Sequence, residues 1–121
     1  MLDHIIISVS DYSVSKSFYE KALEPLGYHV IMEFGEAAGF GILEKPDFFI
    51  KQGEALTPTI HLAFTSRDRE TVSAFHAAAL AAGGKDHGAP GLRVEYHPNY
   101  YGAFVLDPDG HNIEAVCHRE E

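Results

Sequence analysis

Residues Tyr100–Glu121, YYGAFVLDPDGHNIEAVCHREE, decide how this chain folds. Two short apolar runs, Ala103–Leu106 and Ile113–Cys117, flank Asp107-Pro108-Asp109-Gly110. Pro108 fixes φ at a turn position and Gly110 supplies the positive φ such turns need, so the stretch predicts a β-hairpin. Strand alternation in the second run puts Asn112, Glu114, Val116 and His118 on one face, with Ile113, Ala115 and Cys117 on the other. A carboxylate in mid-strand is costly to bury unless it is paired or binds a cation. What Glu114 faces is therefore the question the rest of the chain has to answer.

Upstream, residues 2–9 (LDHIIISV) predict a strand. Asp11 and Ser13 offer N-caps for a helix in which Val14, Phe18, Ala22 and Leu26 recur at helical spacing. Gly27 is its expected positive-φ stop, and Pro25 should fray or tighten the last turn. Strand candidates follow at Tyr28–Phe34, Ala38–Leu43 and Asp47–Lys51, and then a linker toward Pro58. There the pattern restarts. One ungapped offset lays His4 on His61, Ile7 on Phe64, Asp11 on Asp68, Phe18 on Phe75, Ala22 on Ala79 and Gly27 on Gly84. This is an internal duplication of a strand–helix–strands unit. The second helix spans Arg69–Ala82, and a glycine-bearing loop leads on to Leu92–His97 and the hairpin. The expectation is an α+β fold in one domain, 1–121: module one 1–53, linker 54–58, module two 59–121. Each helix can cover only one face of its sheet.

In the first strand His4, Ile6 and Ser8 share one face; in its repeat His61, Ala63 and Thr65 do. Both units keep the bulkier apolar residues for the opposite, helix-covered side. His4, His61 and Glu114 thus lie on strand faces not needed for helix packing. Two histidines and a carboxylate suit several divalent metals, with coordination positions left for water or substrate. Of the remaining histidines, His29, His76, His87 and His111 are expected in solvent.

Composition bounds the function. The acidic excess, 18 against nine basic residues and a net charge of −9, argues against a nucleic-acid or anionic-membrane surface. No signal peptide or membrane segment is visible, and a single cysteine, Cys117, excludes an internal disulfide framework; we expect a cytoplasmic protein.

The βαβββ duplication, the histidine heading each half and the closing YGAFVLDPDGHNIEAV resemble the vicinal oxygen chelate superfamily. That group includes glyoxalase I, extradiol dioxygenases, fosfomycin-resistance proteins and bleomycin-binding proteins. The resemblance covers essentially the whole chain. It implies two modules forming a cupped mixed sheet with the helices outside and one divalent metal (zinc, iron(II), manganese or nickel) per chain. Its metal positions fall on His4, His61 and Glu114, the three that strand phase selects. A homodimer is compatible with it, one site's ligands coming from one chain or from two swapped ones. Two departures stand out. The fourth protein ligand of glyoxalase I has no carboxylate here among Phe48, Phe49, Ile50 and Lys51. His97 fits the extradiol histidine position, but the tyrosine position falls on Phe104.

The leading expectation is a metal-dependent enzyme whose small substrate chelates through two neighbouring oxygens. The metal would act as a Lewis acid, and His97, Tyr100 or Tyr101 as acid/base. Chemistry leans to lyase or isomerase over oxygen-dependent ring cleavage. The rival is a metal-free binding protein of the bleomycin-resistance type, its cup lined by Phe48, Tyr96, Tyr100 and Phe104.

Overall fold

The computed structural model describes residues 1–120. Each half builds a strand, a helix and three more strands. Module one contains β1 (Ile5–Val9), α1 (Tyr12–Ala22), β2 (His29–Phe34), β3 (Ala37–Ile42) and β4 (Lys45–Gln52). Module two contains β5 (His61–Thr65), α2 (Arg69–Ala81), β6 (Lys85–Leu92), β7 (Tyr101–Leu106) and β8 (Asn112–Cys117). The strands form two four-stranded mixed sheets with the same order, β1-β4-β3-β2 and β5-β8-β7-β6. In each, the first and last strands of the module run parallel and the rest are antiparallel. The two sheets do not close into one another, and β1 and β5 are both edge strands.

Local chemistry starts and stops the elements. Asp11 Oδ1 accepts from Val14 N at 3.2 Å and Asp68 Oδ1 from Thr71 N at 2.7 Å, so repeat-equivalent aspartates cap both helices. Pro25 tightens the end of the first helix into a 3-10 turn, Glu24–Leu26, and Gly27 closes it at φ 87°. The hairpin forms at Asp107–Gly110 as the sequence predicts. Gly110 N donates to Asp107 O at 2.9 Å, while Asp107 Oδ1 accepts from the backbone N–H groups of Asp109 and His111 at 2.9 and 2.8 Å.

One core serves both modules. Phe18 and Phe75, Ala22 and Ala79, and Val9 and Ile113 are all buried in it. Burying each such phenylalanine is worth about 1.5–3 kcal/mol. Phe48 of β4 meets Phe64 of β5 edge-to-face at 5.5 Å, and Tyr28 meets Phe64 at 5.4 Å. The helix-covered sides of the two sheets therefore turn toward one another. The histidine-bearing sides turn away.

Four expectations need correction. Val14 is 51% exposed, and Tyr19 takes the place expected of it in the buried stripe. Tyr19 packs on Phe18 and Phe48, and its hydroxyl donates to Asp107 Oδ2 across the two modules. Burial pushes that phenol well above its usual pKa, and the adjacent Asp107 carboxylate adds to this. His111 is 0% exposed instead of solvated, because its Nδ1 accepts from Ile60 N at 3.0 Å. His76 is largely covered and pairs with Asp86 at 2.9 Å. Lastly, the glycine-bearing stretch before Leu92 is not a loop but strand β6, with residues beyond Leu92 turning back toward β7. Its pairing with β7 shifts register between Asp86 and Gly88 and again between Gly88 and Gly91, which an edge strand tolerates. Cys117 is buried, and no helix among the described residues is long and apolar enough to cross a membrane.

Candidate functional site

Glu114 is 1% exposed on the side of the second sheet that faces away from the core. Parallel pairing of β5 with β8 sets His61 beside Asn112 and Ala63 beside Glu114. From that diagonal position the His61 ring reaches across, and its Nε2 lies 2.7 Å from Glu114 Oε1. The other carboxylate oxygen, Oε2, accepts a hydrogen bond from the Tyr100 hydroxyl. Tyr100 reaches it by lying over Gly102. A Cβ at Gly102 would stand 3.1 Å from Tyr100 Cε1 and 3.2 Å from Glu114 Oε2, so a side chain there would crowd this approach. Burial first, and then its bond to Glu114, raise the Tyr100 pKa above the usual phenol range, so the group stays protonated at neutral pH. A buried carboxylate with both oxygens engaged is the arrangement its desolvation demands.

Around this pair, Phe104 lies opposite Glu114 on β7 and packs against the His61 ring at 5.9 Å. On Phe104's face sits the Arg93 guanidinium, 5.3 Å from the ring centroid. His118 packs edge-to-face on Tyr100 at 5.2 Å and on His97 at 5.6 Å, while Tyr96 packs on Tyr100 at 5.1 Å.

The profile of one superfamily matches residues 1–115, described as "Glyoxalase/Bleomycin resistance protein/Dioxygenase superfamily". The chain belongs to that superfamily. Among solved structures it is similar to a glyoxalase/bleomycin resistance protein from Albidiferax ferrireducens T118, with 29% identity, 98% of this chain and 99% of that one covered, and a TM-score of 0.82. The fosfomycin resistance protein FosX of Listeria monocytogenes shares the fold at 21% identity and a TM-score of 0.74, with 98% and 93% covered. A glyoxalase-related enzyme from Fulvimarina pelagi does so at 20% and 0.73, with 97% and 87% covered. No curated protein matches the sequence.

Of the three residues expected as metal ligands, His61 and Glu114 stand together. His4 does not join them: it precedes β1 on the other sheet, with its ring 5.6 Å from Phe49. Among the described residues no group of three His, Cys, Asp or Glu side chains gathers as a metal cluster. His4 Nδ1 lies 2.7 Å from Asp3 Oδ2, and that bond, with one from Lys45, holds the Asp3 carboxyl down to about 2. A proton on Nδ1 leaves Nε2 as the free lone pair. The His61–Glu114 distance is that of a hydrogen bond. Tetrahedral ligand bonds of about 2.0–2.2 Å would set the two donors roughly 3.3–3.6 Å apart, so a metal between them would require the exposed His61 ring to swing outward.

The three acid/base candidates separate. Tyr100 touches Glu114. His97 stands at the rim, its Nδ1 accepting from Asn99 N at 3.1 Å. Tyr101 points to the helix side, with its hydroxyl 3.4 Å from Ser73 Oγ and the Arg69 guanidinium over its ring. The aromatic lining expected for a metal-free binder loses Phe48, which is in the core. Asp3 and Arg93 were not singled out by sequence reasoning. Asp3 carried a signal, a carboxylate next to a candidate ligand; for Arg93 it was a lone cation within an aromatic-rich loop.

Proposed function

We propose that this protein is a cytoplasmic enzyme that uses one divalent metal per chain to act on a small molecule chelating through two neighbouring oxygens, with lyase or isomerase chemistry. The observation that carries this reading is a fully buried carboxylate coupled to an outward-facing histidine at 2.7 Å. His61 Nε2 and Glu114 Oε1 would hold the metal, and His4 Nε2 would be the third donor. His4 comes from a second copy of the chain, because within one chain the two histidine-bearing faces point away from each other. A two-fold dimer would then form two equivalent sites, each drawing His4 from one copy and the His61–Glu114 pair from the other. The open edges of β1 and β5 leave both strands free to meet a partner.

When bound, the metal supplies Lewis-acid polarisation of the substrate's oxygens. The chain's own contribution is proton control. Tyr100 keeps its proton and offers it beside Glu114, and His97 and His118 stand behind it at the rim as the exchange route to water. Phe104, at the position where the resemblance to extradiol dioxygenases implies a tyrosine, offers no proton, which favours redox-neutral chemistry.

Metal analysis of untagged protein purified without chelator tests the reading. About one equivalent of divalent metal per chain is expected in the native protein and none in His61→Ala, which should remain folded because His61 is exposed. Stoichiometric metal in folded His61→Ala would overturn it.

A further inference from the structure

We propose that Arg93 is an anion anchor in this site, so that the substrate carries a carboxylate or phosphonate group beyond its two chelating oxygens. The chelating half of that statement rests on the function proposed above; the anionic half rests on Arg93 alone.

A cavity of about 420 Å³ opens on the outer face of the second sheet, and His61, Phe104, Tyr96 and Arg93 are among its walls. Arg93 is fixed there at both ends. Its backbone N donates to Tyr100 O at 2.7 Å, which ties the guanidinium and the Tyr100 phenol to the two ends of one loop. Its Nη2 donates to Ala89 O at 2.8 Å, and the guanidinium lies over Phe104. Gly88 and Gly91 make room for it. A Cβ at Gly88 would stand 2.7 Å from the Phe104 ring and 3.3 Å from Arg93 Nη2, and one at Gly91 would stand 3.1 Å from Nη1.

No carboxylate among the described residues lies within ion-pair distance of this guanidinium, although the chain has 18 acidic residues. A guanidinium has five N–H donors, and among the described residues only one bond, to Ala89 O, engages the group here. The remaining donors form a planar fork suited to a carboxylate or phosphonate, already held in position by the ring beneath. A net charge of −9 repels anions in general, so an anionic substrate needs a local cation of this kind. The one ring that touches both partners is Phe104, between His61 and Arg93. A ligand chelating at His61–Glu114 would extend its acidic end along that ring to Arg93.

Three hydroxamates with the same chelating head test this on zinc-loaded protein: acetohydroxamate with a neutral tail, succinohydroxamate with a carboxylate and phosphonoacetohydroxamate with a phosphonate. At least one acidic tail should improve binding about 10-fold or more over acetohydroxamate, and the better tail identifies the anion. Arg93→Gln should abolish that preference while leaving acetohydroxamate affinity and zinc content unchanged, and Arg93→Lys should restore part of it. Absence of a tail preference in the native protein, or its persistence in Arg93→Gln, would overturn the proposal. Should the protein bind no zinc, the metal reading fails separately. Arg93 is then tested on metal-free protein with methylphosphonate and succinate, followed by NMR at the Arg93 Nε–Hε. A saturable shift upholds the anchor, and no shift overturns it.

Discussion

The two modules have the same strand order and the same phase, yet among the described residues only module two sets a buried carboxylate beside its strand histidine. In module two, His61 leans to Glu114 on the neighbouring parallel strand. In module one, the register Ile5↔Phe48 and Ile6↔Phe49 puts Phe49 where Glu114 would stand, and His4 meets its ring. The turns differ in the same sense. Asp107-Pro108-Asp109-Gly110 is braced by the Asp107 carboxylate, whereas β3 and β4 are joined through Leu43 and Glu44, with Leu43 at φ 57°. One module contributes the buried carboxylate and its phenol; the other contributes a single histidine on an apolar face that includes the exposed Ile6, Met32 and Phe34. The fold is duplicated, but in the proposed site the donors are divided between the copies.

The largest expected effect comes from placing a carboxylate on the wrong side of module one. Phe48→Glu buries a charge in the shared core against Phe64 and Tyr19, and should cost several kcal/mol, enough to unfold a domain of this size. Phe49→Glu sits on the outer face beside His4. It should fold, tighten metal binding by adding a fourth donor, and suppress turnover. Thermal melts with metal titrations separate the two. Equal behaviour of the two variants would break the assignment of faces. Next in size is Tyr100→Phe, which leaves Glu114 Oε2 without its donor and should lower stability by about 1–3 kcal/mol. Denaturant unfolding of metal-free protein reads this, and an unchanged midpoint would remove Tyr100 from the site.

Much of this division is legible in the sequence, because it rests on short-range rules. The repeat offset, the aspartate caps, the Asp-Pro-Asp-Gly hairpin and the phase of His4, His61 and Glu114 all follow from spacing. What spacing misses depends on distant partners. His111 is buried because Ile60 N, from the chain entering β5, needs its Nδ1. Tyr19 displaces Val14 from the core because Asp107 accepts its hydroxyl from the other module. Strand β6 hides behind glycines whose use is to admit Phe104 and Arg93. The separation of His4 from the His61–Glu114 pair is set by how two sheets share a core, and no local pattern reports that.

The smallest effect concerns the asymmetry between the two histidines. Asp3→Asn weakens the partner that fixes the His4 tautomer, and should reduce metal affinity by about 10-fold, the low end for such supporting carboxylates. A competition titration against a chelator measures it, and no change would mean that His4 needs no orientation.

Mixing two inactive ligand variants tests the divided site most directly. His4→Ala and His61→Ala each lose a donor from every site and should bind no stoichiometric metal alone. Co-expressed, they form mixed dimers in which one site recovers His4 from one chain and the His61–Glu114 pair from the other. Random assortment then restores about a quarter of the native metal content. Metal in the co-expressed pair, absent from either variant alone, is the expected result. A co-expressed pair as empty as its parents would contradict a site shared between two chains.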